Sequence, residues 1–188
     1  YEKNPKAGMV SGLVYIKKGF DSAQPDKKDF TTSQLYDFTH QNEWTFENLS
    51  SKNHVRGPIK SYRKELFLKM NGLRAVLGWD NIDVMLCKMH GFETVTLQEL
   101  WVKHLRPTAY KYKSQKAQKL GEYFYNIGLN FPLAAISSAK SSWKNKSVSE
   151  FFITMKSFLK QKNPRVLSQE EIAFIRDLRW KEIKRKLM

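Results

Sequence analysis

The sequence predicts an α/β fold: a mixed sheet with helices over residues 1–110, followed by a basic helical tail over 111–188. Three observations carry this. Met9-Val10-Ser11-Gly12-Leu13-Val14-Tyr15-Ile16 is a nearly continuous apolar run, as in a strand covered on both faces. Between that run and Pro107, strand-like and helix-like stretches alternate. Beyond Pro107 the charge changes sharply: residues 101–188 hold 19 Lys/Arg against 6 Asp/Glu, whereas residues 1–100 hold 14 against 12.

Taken in order, Glu2 to Gly8 is polar and turn-rich, and the apolar strand follows. Lys17 to Asp29 reads as a loop, with Gly19, Pro25 and Asp26. Phe30 to Ser51 mixes Thr, Asn and aromatics without clean periodicity, so it reads as irregular with a short helix or strand. His54 to Pro58 is a loop feeding a strand, Ile59 to Tyr62. Arg63 to Met70 has helical spacing, with Leu66, Phe67 and Met70 on one side, and Asn71-Gly72 ends it as a glycine C-cap does. After a loop to Gly78, Asp80 to His90 forms a second short helix, with Ile82, Met85, Leu86 and Met89 on one face and Gly91 closing it. Phe92 to Val95 and Leu100 to Leu105 are strand-like, with Gln98-Glu99 between them. In the tail, Lys111 to Lys119 is a basic run and Tyr123 to Ala139 is uncharged. Phe151 to Leu159 is an amphipathic helix and Pro164 breaks the chain. Ser168 with Glu171 is a capping box opening a helix to Lys186.

Composition removes several classes. With 188 residues and 41% hydrophobic side chains, global disorder is excluded and one ordinary domain, or a smaller one with an appendage, fits. The single cysteine, Cys87, excludes an internal disulfide and a cysteine-based zinc cluster, and it points to reducing surroundings. No apolar stretch reaches the ~20 residues of an ordinary spanning helix. H-E-x-x-H, G-x-S-x-G, P-loop and G-x-G-x-x-G motifs are all missing, so metalloprotease, serine-hydrolase and dinucleotide chemistry have no support. Tyr1-Glu2-Lys3-Asn4-Pro5 is neither a signal peptide nor an initiator start, and it reads as a chain entered partway. The net charge of +15 points to polyanionic partners: phosphate-bearing substrates, nucleic acid or an anionic membrane.

Three constellations carry chemistry. In Gly78-Trp79-Asp80-Asn81-Ile82-Asp83, Asp80 stands at a helix start, where it is either a plain N-cap or a general base toward a hydroxyl. Asp83 is a first-turn acid. His104 and Arg106, in Val102-Lys103-His104-Leu105-Arg106-Pro107, offer a metal ligand and a phosphate fork, or are merely solvated. His54 to Pro58 with Ile59 to Arg63 supplies Arg56, Gly57, Tyr62 and Arg63, all types that commonly face a ligand. A solvated loop before an edge strand is an equal reading.

In this order the pieces resemble the C-terminal, acceptor-side half of a GT-A-fold, family 2 inverting glycosyltransferase. The residues that carry the resemblance are Glu2-Lys3-Asn4-Pro5-Lys6-Ala7-Gly8-Met9-Val10-Ser11-Gly12, Arg56 to Phe67, Met70-Asn71-Gly72-Leu73, Gly78 to Asp83 before Gly91-Phe92-Glu93-Thr94, and His104-Leu105-Arg106-Pro107-Thr108. It covers roughly residues 1–108 well and the tail in outline. The resemblance implies transfer of a sugar from a nucleotide-diphosphate donor to an acceptor hydroxyl, in surface polysaccharide or glycolipid synthesis. Asp80 matches the proposed base, eleven residues before Gly91. Asp83 is the alternative, because Trp79 replaces the usual glutamate and leaves the register open. Arg56, Gly57, Tyr62, Arg63, Trp79 and Arg106 would line the acceptor side. His104 would help bind a divalent cation, Mg²⁺ or Mn²⁺, held mainly upstream. The family's second histidine is Leu105 here, and no D-x-D occurs in these residues, so the piece alone should not turn over substrate.

The tail adds two expectations. Tyr123 to Ile136, flanked by lysines, suits lying in a membrane interface, which fits a lipid-linked acceptor and a cytoplasmic, peripheral location at the inner face; the other reading is a helical hairpin packed on the core. A nucleic-acid-binding or interaction module is the alternative function, motivated by Tyr110, Tyr112, Trp143 and Trp180 among the lysines. No helix-turn-helix, RRM or OB pattern accompanies them, so nucleic acid is not favoured.

Overall fold

The computed structural model describes residues 1–17, 44–47, 51–105 and 115–187. Its order is β1 (Ala7–Lys17), β2 (Trp44–Phe46), β3 (Lys60–Tyr62), α1 (Lys64–Lys69), α2 (Trp79–Met89), β4 (Glu93–His104), α3 (Lys116–Asn126), α4 (Phe131–Lys144), α5 (Val148–Lys160) and α6 (Gln169–Leu187). The fold is therefore mixed α/β. Of the loop expected over Lys17 to Asp29, Lys17 belongs to β1 and the rest lies outside the described residues, as do most of Phe30 to Ser51 and the expected boundary near 107–112.

The apolar run is the organising strand. β4 lies parallel to β1 along one edge, from Ala7 opposite Glu93 to Ile16 opposite His104. The other edge is shared by two short antiparallel strands, β3 against Met9–Ser11 and β2 against Tyr15–Lys17. With ladders on both edges, and Ala7, Met9, Leu13 and Val14 buried, β1 is covered as its composition requires. Where two strands were expected after Gly91, one long strand forms. Its pairing with β1 shifts register twice, between Ala7 and Met9 and, more widely, between Ser11 and Leu13, which pair with Thr96 and Trp101, so Gln98-Glu99 are taken up as a bulge rather than a turn.

α1 ends as expected: Asn71 and Gly72 both have positive φ, 55° and 75°, and the Gly72 amide donates to the Phe67 carbonyl at 3.0 Å. α2 starts differently from the expectation. Its N-cap is Gly78, in the left-handed region at φ 95°, and Asp80 lies inside the first turn instead of capping it. Gly78 is required twice over. Its φ disfavours a side chain, and a Cβ there would lie 2.4 Å from Cδ2 of Tyr123 in α3.

The tail does not stand apart from the sheet. Met9, Leu66, Ile82 and Leu86 share one buried cluster with Phe124, Ile127, Leu133, Met155, Ile172 and Ile175. Polar ties reinforce this: Arg74 pairs with Glu171 at 2.6 Å, and Asn126 donates to the Leu77 carbonyl at 3.1 Å. The uncharged run Tyr123 to Ala139 is broken by a turn at Gly128. α4 then restarts at Asn130, whose side chain accepts from the Leu133 amide, with Pro132 in the first turn. α3 and α5 cross closely at Gly121, where a Cβ would lie 2.3 Å from the Thr154 carbonyl oxygen. The capping box forms with both bonds: the Ser168 amide donates to Glu171 at 2.7 Å, and the Glu171 amide donates to the Ser168 hydroxyl at 3.2 Å.

Candidate functional site

The start of α2 faces β3 and the loop before it. The Lys60 ammonium reaches across from β3, donating to the Asp80 backbone carbonyl and to both carboxylate oxygens of Asp83, each at 3.0 Å. The Tyr62 hydroxyl donates to Asp83 at 2.5 Å. Asp83 and Lys60 are almost wholly enclosed, with side-chain exposures of 4% and 1%. Burial pushes the Asp83 carboxyl above its usual range, against the opposing pull of Lys60 and Tyr62. Burial and the bonded carboxylate push the Tyr62 phenol far up, so it stays protonated and donates. Asp83 is thus a saturated core acid. On the same helix Cys87 is buried and its thiol is pushed up to about 11, mainly by burial, which leaves it inert at neutral pH.

Asp80 stands three residues earlier on the helix and in a different setting. It is half-buried, and among the described residues no hydrogen bond or ion pair engages its carboxylate. Gly57 packs beside it, close to both the Asp80 Cβ and the Trp79 ring, at ordinary contact distance for an added methyl (3.6 Å), so that glycine is not demanded by packing. The Lys60 ammonium sits 5.4 Å from the Trp79 ring centre, which holds the half-exposed indole in place. His54 completes this corner. Burial first, and Lys60 next, lower its pKa, while Asp80 pulls the other way.

A second cluster forms at the far end of β1. Glu47, just past β2, is buried and salt-bridged to Arg56 through its carboxylate, and its backbone carbonyl accepts from Arg56 at 3.2 Å. His104 Nδ1 lies 3.7 Å from the same carboxylate. The sequence reading missed Glu47, which sits in an aperiodic stretch. The one available signal was an acid directly after the aromatic strand Trp44-Thr45-Phe46, since an acid buried there needs a cation.

The expected site residues therefore separate. Gly57, Trp79 and Asp80 come together. Tyr62 and Asp83 serve each other and Lys60. Arg56, expected to face a ligand, is buried against Glu47. Arg63 is turned to the N-terminal segment, donating to the Ala7 and Asn4 carbonyls at 2.9 and 3.4 Å. Arg106 lies outside the described residues. Among the described residues no three His, Cys, Asp or Glu side chains converge on a point. His104 lies beside Glu47, whose carboxylate Arg56 already engages, and among the described residues this cluster does not make up a divalent-cation site by itself. Two grooves, of about 560 and 500 Å³, lie at the α4–α5 turn and between Asn71–Ala75 and the start of α6, away from Asp80. Comparison with known protein families, with characterised proteins and with solved structures finds no match in any of the three.

Proposed function

We propose that the chain is the acceptor-side part of a GT-A-type inverting glycosyltransferase, with Asp80 as the base. The observation that carries this is the division between the two acids of Gly78-Trp79-Asp80-Asn81-Ile82-Asp83. Asp83 has its lone pairs filled by Lys60 and Tyr62, whereas the Asp80 carboxylate is unengaged among the described residues, beside Gly57 and an indole face. A base must have a lone pair to give and an approach for the hydroxyl that surrenders its proton.

In the reaction, the acceptor hydroxyl loses its proton to Asp80 as its oxygen bonds to the anomeric carbon. The bond from that carbon to the nucleoside diphosphate breaks on the opposite side, inverting the centre. Trp79 offers a flat apolar wall for an acceptor sugar ring, and Lys60 fixes the turn that carries both residues. The donor-binding units and the D-x-D segment belong, on this reading, to residues upstream. Any Mg²⁺ or Mn²⁺ would be held mainly there, with His104 an additional ligand, and it would supply charge for the leaving diphosphate. A nucleotide-sugar donor and a lone buried thiol both fit a reducing, cytoplasmic setting.

The test is a panel of nucleotide sugars given to the complete protein with hydroxyl acceptors and Mg²⁺ or Mn²⁺. We expect one donor to be turned over. Asp80→Asn should abolish that transfer and leave donor binding nearly intact. Normal turnover by that variant rejects the base assignment.

A further inference from the structure

Two helices of the tail present an apolar surface that no other described element covers. α4 and α5 pack together across the turn Asn145–Ser147, and their inward faces, including Leu133, Ala134, Met155 and Phe158, enter the core. Their outward faces are not polar. On α4, Ile136, Lys140 and Trp143 follow at i, i+4 and i+7. On α5, Val148, Phe152, Lys156 and Leu159 follow at i, i+4, i+8 and i+11. Trp143 is 88% exposed, Val148 75% and Phe152 65%. The two stripes meet at the turn, where Trp143, Val148, Phe151 and Lys146 line the 560 Å³ groove, and the Phe151 and Phe152 rings touch edge to face at 5.4 Å.

Charge selects the occupant. Residues 131–167 carry seven Lys/Arg and one acid, Glu150, and that acid is taken by the Asn145 amide at 2.6 Å. A second copy of this face would bring like charge onto like charge. A nucleic acid could stack on Trp143 and Phe152 but would have no use for the exposed aliphatic Val148 and Leu159. Aromatic and aliphatic side chains projecting between lysines match a lipid headgroup layer, with the rings at the acyl boundary and the ammonium groups among phosphates. No described helix is long and apolar enough to cross a membrane, so the fit is to its surface.

We propose that the outer face of the α4–α5 pair docks on an anionic phospholipid surface, Trp143, Val148 and Phe152 inserting and the flanking lysines neutralising headgroups. This differs from the expectation for Tyr123 to Ile136, whose Phe124, Ile127, Leu129, Leu133 and Ala134 are in the core and face no lipid. The proposal stands without the glycosyltransferase reading.

The test is flotation of the chain with vesicles of phosphatidylcholine containing about 30 mol% phosphatidylglycerol, against vesicles of phosphatidylcholine alone. Binding is expected on the anionic vesicles at low salt and about tenfold or more weaker on neutral ones. The double variant Trp143→Ser, Phe152→Ser should lose that binding with an unchanged melting temperature, since both side chains are exposed. Lys140→Gln with Lys144→Gln and Lys156→Gln should remove the preference for anionic vesicles. No flotation at low salt, equal flotation of the serine variant, or a dimer that the serine variant dissociates would each overturn the proposal.

Discussion

The sheet side and the helical tail of this molecule handle charge in opposite ways. Around β1 and α2 the ions are buried and matched: Lys60 with Asp83, Arg56 with Glu47. In the tail, pairs such as Lys181–Asp177 lie in solvent, and most lysines of α4 and α5 are exposed. A buried pair contributes little net stability but fixes geometry, because neither partner can be removed cheaply. Exposed lysines fix nothing locally and instead create a field. On the sheet side, the Asp80 carboxylate, which no hydrogen bond or ion pair engages among the described residues, is therefore the departure that calls for a chemical reason. In the tail, the departure is the set of large apolar side chains among the lysines.

The contrast can be broken most sharply at Asp83. Asp83→Ala leaves the Lys60 ammonium buried without its partner and should destabilise the fold by about 3–5 kcal/mol, read from urea denaturation. A loss no larger than that of an exposed substitution would erase the distinction between the two regions. Gly78→Ala tests the joint between them. A side chain at φ 95° that also strikes Tyr123 should cost about 2–5 kcal/mol, combining left-handed strain with overpacking. In the tail, Ser168→Ala removes one bond of the capping box and should cost about 1 kcal/mol, read from urea denaturation.

The smallest effect is a pH dependence at His54. Burial and Lys60 hold its imidazole below the ordinary 6.5, so the native chain binds this proton less readily than the unfolded chain. Its contribution is fully present above pH 6.5 and declines as pH falls through and below that value. His54→Gln should flatten the slope of stability against pH in that window, measured by denaturation at several pH values. An unchanged slope would show that the imidazole titrates as it does in solvent.

Several local signals in the sequence carry through to the structure. The β1 run, the Asn71-Gly72 helix end and the Ser168–Glu171 box each depend on residues near one another, and each formed. What escaped depends on contacts distant in sequence. Glu47 meets Arg56 and His104 only because β2 and β4 flank the same end of β1. Gly78 takes the cap in place of Asp80, and the closeness of Tyr123 in α3, which leaves no room for a side chain there, is not visible from the local sequence. The uncharged tail run looked suited to an interface, yet half of it was claimed by a core that α2 shares. For the candidate site, Gly57, Trp79 and Asp80 were legible as a group. The separation of Asp80 from Asp83 was not, because nothing local to Trp79–Asp83 reveals that Lys60 and Tyr62 point at the second acid.

That separation is tested most directly by comparing Asp80→Asn and Asp83→Asn in the complete protein, measuring turnover and thermal midpoint together. Asp80→Asn should keep the midpoint and lose transfer, and Asp83→Asn should lower the midpoint markedly. Full turnover with Asp80→Asn, or a collapse of stability there, would contradict the assignment of the two acids.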